Sequence, residues 1–258
     1  MSPTERNFLS THRAHDCKDL MRRWRKIARP AGLAVTPFIT QAEHQLYYLA
    51  PRKARTGRSI YLSAGIHGDE AAPPIGLLHW AEQNPKALQE LDVLIFPCLN
   101  PWGLTNNVRL NHRGRDLNRD FQNRHIPFVR KWRQVVGSRR FDLALNLHED
   151  YDAQGAYVYE LSQKPPFLAE RILQKVSSII PPDQRRTIDI SRAKSGVIRR
   201  RIRLSDFDDF GLPEAIYLHF HHSDATLTIE TPSEFSLFDR VRAQAKAIQV
   251  AVQARRRR

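Results

Sequence analysis

Cysteine is scarce in this chain: Cys17 and Cys98 are the only two among 258 residues. Two thiols do not make the disulfide framework of a small secreted domain, and Cys98, inside an apolar run, reads as a buried thiol. Long hydrophobic runs are lacking too. No apolar stretch approaches the roughly 18 residues a membrane-spanning helix needs, which excludes a transmembrane helix. The segment Met1 to Arg13 is polar and has no apolar signal-peptide core, so the expected location is the cytoplasm. No Gly/Ser-rich linker, low-complexity tract or internal repeat divides the chain. One domain over 1–258 is therefore expected, with an N-terminal helical extension over about 1–32.

Acidic residues are in short supply, 27 against 41 Lys and Arg, for a net charge of +14. Such an excess suits nucleic acid, an acidic partner or a solvated basic exterior. The arginines cluster at Arg199, Arg200, Arg201 and Arg203 and again at Arg255 to Arg258, with few aromatics interleaved to stack bases. Nucleic acid is therefore not the expected partner. No feature of the sequence fixes an oligomeric state.

What is present is an alternation of short apolar runs and helical patterns. Asp16 can cap a helix over Cys17 to Ala28, with Leu20, Met21, Trp24, Ile27 and Ala28 on one face and Pro30 and Gly32 stopping it. Strands are expected at Gln45–Leu49, Ser59–Ala64, Val93–Cys98, Phe141–Leu147, Ala156–Tyr159, Ala215–His219 and Thr226–Ile229. Helices are expected at Pro74–Asn84, Pro127–Val136, Pro166–Ser178 and Leu237 to about Arg255. This order predicts an α/β fold: a mixed, largely parallel central sheet flanked by helices, with its ligand site at the carboxyl ends of strands.

Chemistry concentrates at such strand ends. The run Ser59–Ala64 delivers His67 and Glu70, an imidazole and a carboxylate that suit zinc, and a third ligand would leave a position open for water. His148, placed where Leu143–Leu147 ends, is the best third ligand. Thr226, Thr228 and Glu230 share one strand face, so Glu230 can take a proton from water and pass it to a leaving amine. Between Arg109 and Phe121 guanidinium groups crowd around Asn118, which makes a carboxylate-binding loop. An arginine near a metal could also stabilise an oxyanion. Arg113 and Arg115 read instead as solvated. So do Asp206, Asp208, Asp209 and Asp224, while His219, His221 and His222 lack the spacing of a second metal site.

His67-x-x-Glu70, Asn100-Pro-x-Gly103, Asp116-Leu117-Asn118-Arg119, His148 and Thr228-x-Glu230 occur in this order. Together they resemble the zinc carboxypeptidase family, from about residue 58 to 238. The resemblance implies a fold of the zinc-dependent exopeptidase type and one zinc ion on His67, Glu70 and His148. It implies Glu230 as general base and acid, Arg109 polarising the scissile carbonyl, and Asn118 and Arg119 holding a terminal carboxylate. Asp116 would orient His67. The family's capping tyrosine has Tyr217 as its candidate, against the plainer reading of a buried strand aromatic. The His-Gly-x-Glu signature also resembles the succinylglutamate desuccinylase and aspartoacylase branch. The expected substrate is a peptide or an N-acyl amino acid with a free carboxylate. A non-catalytic basic binding protein on the same fold is the third reading.

Overall fold

Runs of Ile, Leu, Val and Tyr that are buried on both faces force the middle of the chain into a covered sheet. The structure, a computed structural model, describes residues 1–56, 58–162 and 164–256. Its strands are β1 (Leu33–Gln41), β2 (His44–Pro51), β3 (Ser59–Ala64), β4 (Asp92–Phe96), β5 (Leu143–Asp150), β6 (Tyr157–Glu160), β7 (Thr187–Ile188), β8 (Ser191–Arg192), β9 (Val197–Ile198) and β10 (Thr226–Pro232). Its helices are α1 (Pro3–Thr11), α2 (Cys17–Ala28), α3 (Ala72–Gln83), α4 (Pro85–Glu90), α5 (Pro101–Asn106), α6 (Pro127–Val136), α7 (Ala169–Val176), α8 (Glu214–His221) and α9 (Leu237–Arg256).

Eight strands form one sheet in the order β1-β2-β4-β3-β5-β10-β6-β9. The four at its centre, β4, β3, β5 and β10, are parallel, and β1, β2 and β6 pair antiparallel outside them. The mixed α/β architecture is as the sequence predicts. Parallel strands end at one edge, which is where β3, β5 and β10 deliver His67, His148 and Glu230.

Side chains alternate across the sheet. Ile60, Leu62, Leu145, Leu147, Leu227 and Ile229 join α2, α3, α7 and α9 in one core. Tyr61, Leu94, Phe96 and Ala144 face the other way, onto Phe128, Trp132 and Leu218 of α6 and α8. Asp16 caps α2 through its side chain, which accepts from the Asp19 N–H at 2.9 Å.

The expected strand at Ala215–His219 is instead helical, within α8. A short apolar run does not distinguish strand from buried helix by itself, and here Pro213 at the N-cap and Glu214 in the first turn favour the helix. β1 escaped the pattern because Pro37 interrupts it. Proline is tolerated there since β1 is an edge strand, with a register shift between Pro37 and Ile39.

Candidate active site

A close backbone approach builds the turn that follows β3. A Cβ on Gly68 would lie 2.0 Å from the Gly103 carbonyl carbon, so these two glycines let His67-Gly-Asp-Glu70 pack directly on α5. Asn100 caps α5 by accepting the Gly103 N–H at 3.0 Å. Its Nδ2 donates to the Arg109 and Leu110 carbonyls at 3.3 and 3.2 Å, which ties the arginine loop to the same corner.

His67 Nδ1 lies 2.5 Å from Glu70 Oε1, and His148 Nδ1 lies 3.0 Å from Glu70 Oε2. The three residues are only 3, 2 and 5 % exposed, so this carboxylate between two imidazoles is out of water. Among the described residues they are the one group whose donor atoms, all within 4.8 Å of one another, could hold a metal ion. The donor chemistry fits: two nitrogens and one oxygen leave room for a further ligand on a borderline-soft ion. The far nitrogen of His67, Nε2, is 3.2 Å from Asp116 Oδ1, an outer carboxylate that fixes the ring.

Charges pack tightly here. Burial pulls the His67 pKa down, but Glu70 and Asp116 outweigh it and raise it to about 9. Burial pushes Glu70 up, yet His67 and His148 together bring it down to about 2. Arg109 adds a cation at 3.2 Å from Asp116 Oδ2 and 3.6 Å from Glu70 Oε1. The same Asp116 therefore touches the first imidazole and the arginine.

Asn118 accepts the Glu214 N–H on Oδ1 at 2.9 Å, which turns its Nδ2 donor to the opposite side. Arg119 is exposed, and its Nη1 donates to the Asn118 carbonyl at 2.9 Å. Glu230 sits beside His148 in the parallel register and opposite Tyr157 in the antiparallel one. Its Oε2 is buried with no hydrogen-bond partner among the described residues. Burial raises its pKa well above the carboxylate range; His148 opposes this, while Glu70, Asp150 and Asp189 add to it.

Tyr217 is not brought to this site. It lies buried in α8 against Trp132, with the Arg133 guanidinium 4.3 Å from its ring centre. Asp224 pairs with Arg140 and Asp206 accepts from the Arg203 N–H, both at the surface. Arg199 is taken up by Glu160 and Glu170, while Arg257 and Arg258 lie outside the described residues.

Several buried polar groups near the site carry no motif. Glu149 accepts from the Ala72 N–H at the start of α3 and from Arg240, and burial still pushes it up to about 7. Gln244 of α9 donates to the His148 carbonyl at 2.8 Å and to Thr231 Oγ1 at 3.0 Å. Glu214 receives the hydroxyls of Tyr61 and Ser63. The only sequence signal for any of them is a charged or amide residue inside an apolar pattern.

The model of the succinylglutamate desuccinylase/aspartoacylase catalytic domain family matches residues 56–182. A candidate metallopeptidase of Shewanella amazonensis superposes with a TM-score of 0.82 at 23% identity, over 95% of each chain. A metallo-carboxypeptidase of Pseudomonas aeruginosa, in complex with (2-guanidinoethylmercapto)succinic acid, gives 0.65 at 17% identity, over 92% of this chain and 68% of its own. Carboxypeptidase A of Helicoverpa armigera gives 0.66 at 14%, over 94% and 74%. No curated protein matches by sequence.

The fold is that of carboxypeptidase-like structures, and residues 56–182 carry the match to the desuccinylase/aspartoacylase model. That segment holds His67, Glu70, Arg109, Asp116, Asn118, Arg119 and His148, while Glu230 lies beyond it.

Proposed function

We propose that this protein is a single-domain, cytoplasmic metallocarboxypeptidase that hydrolyses the amide bond next to the free carboxylate of a peptide, using one zinc ion. One observation carries the reading: the buried His67–Glu70–His148 triad has Glu230 beside it, whose buried Oε2 has no partner among the described residues, and Arg109 on its rim. Zinc held there supplies Lewis acidity toward the carbonyl and lowers the pKa of water to about 7.

The chain's own groups do the rest. Glu230, half-buried and raised in pKa, takes a proton from the attacking water and returns it to the leaving amine. Arg109 donates to the carbonyl oxygen as negative charge develops on it. Asn118 Nδ2 and the exposed Arg119 guanidinium hold the terminal carboxylate, and Asp116 keeps the His67 ring oriented toward Glu70. The succinic acid inhibitor of the Pseudomonas neighbour, itself a carboxylate, is in keeping with this.

The family model favours a second reading, removal of an acyl group from an N-acyl amino acid. A screen of zinc-loaded protein on C-terminally free peptides, amidated peptides and N-acyl amino acids separates the two. Hydrolysis of the first group alone is expected. Glu230→Gln should lower turnover by about a hundredfold or more while keeping the zinc. Unchanged turnover would remove Glu230 from the mechanism, and a folded protein without zinc affinity would overturn the reading.

A further inference from the structure

Cys17 and Cys98 are the only cysteines of the chain, and folding brings their side chains into hydrogen-bonding contact. Cys17 is the first residue of α2, while Cys98 follows β4 and packs beneath the turn after β3. A Cβ on Gly65 would lie 3.0 Å from Cys98 Sγ, which is 3.8 Å from the Gly65 carbonyl oxygen. Cys17 Sγ lies 3.3 Å from the Pro101 carbonyl oxygen, and His15 Nδ1 lies 2.8 Å from that of Leu104, so the start of α2 is fastened to α5. Two distant segments thus meet at their thiols, in the corner that also carries the His67 turn.

The two thiols are not equivalent. Cys17 is half-buried and stands at a helix N-terminus, where the dipole and the free N–H groups favour a thiolate. A hydrogen bond from Cys98, with a second from Thr105, holds its pKa below the ordinary thiol range against burial and Asp16. Cys98 is 6 % exposed, and donation to Cys17 together with burial pushes it well above that range. One is a reachable nucleophile, and the other is a protected neighbour able to resolve what the first forms. The hydrolytic site uses neither.

We propose that Cys17 and Cys98 form a redox-active pair, at which a small-molecule disulfide such as oxidised glutathione converts the two thiols into one intramolecular disulfide that fastens α2 to the His67 corner. The Cys17 thiolate attacks one sulfur of the oxidant, giving a mixed disulfide and expelling the first thiolate. Cys98 then attacks the Cys17 sulfur, forms the Cys17–Cys98 bond and expels the second. The two protons lost by the protein pass to the two leaving thiolates, and the two electrons it gives up reduce the oxidant's S–S bond. The new bond closes a loop of about 80 residues, which restricts the unfolded chain far more than the folded one.

The test equilibrates the full chain with reduced and oxidised glutathione in varied ratio. Free thiols counted after denaturation should fall from two to none as the ratio becomes oxidising, with a linked Cys17–Cys98 peptide in a non-reducing digest and no covalent dimer on a non-reducing gel. Tm should rise by several degrees and return on reduction. Cys98→Ala should stop at a glutathione mixed disulfide on Cys17, whereas Cys17→Ser should leave Cys98 unmodified in the folded protein, because it is buried. Two thiols retained at the most oxidising ratio, or a wild-type protein that stops at the mixed disulfide, would overturn the pair without recourse to either variant. So would faster modification of Cys98 than of Cys17. A disulfide formed with no rise in Tm would overturn the fastening of α2.

Discussion

The two faces of β5 differ by one residue in register and by everything in chemistry. Leu143, Leu145 and Leu147 sink into the core with α3 and α9, whereas Ala144, Asn146 and His148 face the opposite way. On the first face the strands' own polar side chains, Glu149 and Thr231, stand at the strand ends and are hydrogen-bonded. On the second, Asn146 Oδ1, Thr226 Oγ1 and Glu230 Oε2 are buried with no hydrogen-bond partner among the described residues. Partnerless buried groups cost stability, and a fold keeps them where they serve another purpose. The sheet is thus divided by face, one side stabilising and the other reactive.

Substitutions should respect that division. The largest effect is expected from Glu70→Ala, which removes the carboxylate between the two imidazoles and with it the means to hold the ion. Turnover should fall on the order of a thousandfold or more, since a metal contributes several kcal/mol to the barrier. Metal content after dialysis should fall in parallel. Retained stoichiometric metal would break the assignment of the reactive face.

Leu145→Ala, on the opposite face, should do the reverse. A fully buried leucine truncated to alanine costs about 2–5 kcal/mol. Urea unfolding would measure that loss, while metal stoichiometry and turnover per folded molecule stay near wild type. A loss of activity with little loss of stability would show that the faces are not separable.

Much of this division was legible in the sequence. The central strands are continuous apolar runs, and His67, His148 and Glu230 each stand where such a run ends, so the fold class and the strand-end positions follow from pattern alone. Tyr217 was not legible in the same way. An aromatic upstream of a strand reads alike in a strand or a helix, and only the packing of α8 on Trp132 decides it. Gln244 was out of reach for a different reason, since its partners are a backbone carbonyl 96 residues away and a hydroxyl 13 residues away, and backbone groups leave no mark in a sequence.

Gln244 also marks where the two faces meet. It belongs to α9 on the stabilising side, yet its amide joins the ends of β5 and β10, one carrying His148 and the other Glu230. Gln244→Leu leaves the His148 carbonyl without this donor and should cost about 1–3 kcal/mol. Metal affinity should weaken with it. If stability falls and affinity does not, Gln244 acts only in packing.

The smallest expected effect is a proton count. In the metal-free protein His67 has a pKa raised to about 9, and His148 is raised as well, because Glu70 and, for His67, Asp116 outweigh burial. Stability from the His67 shift is therefore present below its unfolded value of about 6.5 and is lost as pH rises through about 9. Glu70, lowered to about 2, works in the other direction: its contribution is present above about 4.5 and is lost as pH falls through 2. A metal ion requires the imidazoles neutral, so its binding near pH 7.5 must expel one proton or more. Calorimetry in buffers of different ionisation enthalpy would measure the release, and the apparent affinity should climb until pH reaches about 9. Asp116→Asn removes one of the carboxylates that hold the proton on His67 and should reduce the release, whereas Leu145→Ala should not change it. A binding enthalpy independent of buffer would mean that the reactive face does not store its charge in these two imidazoles.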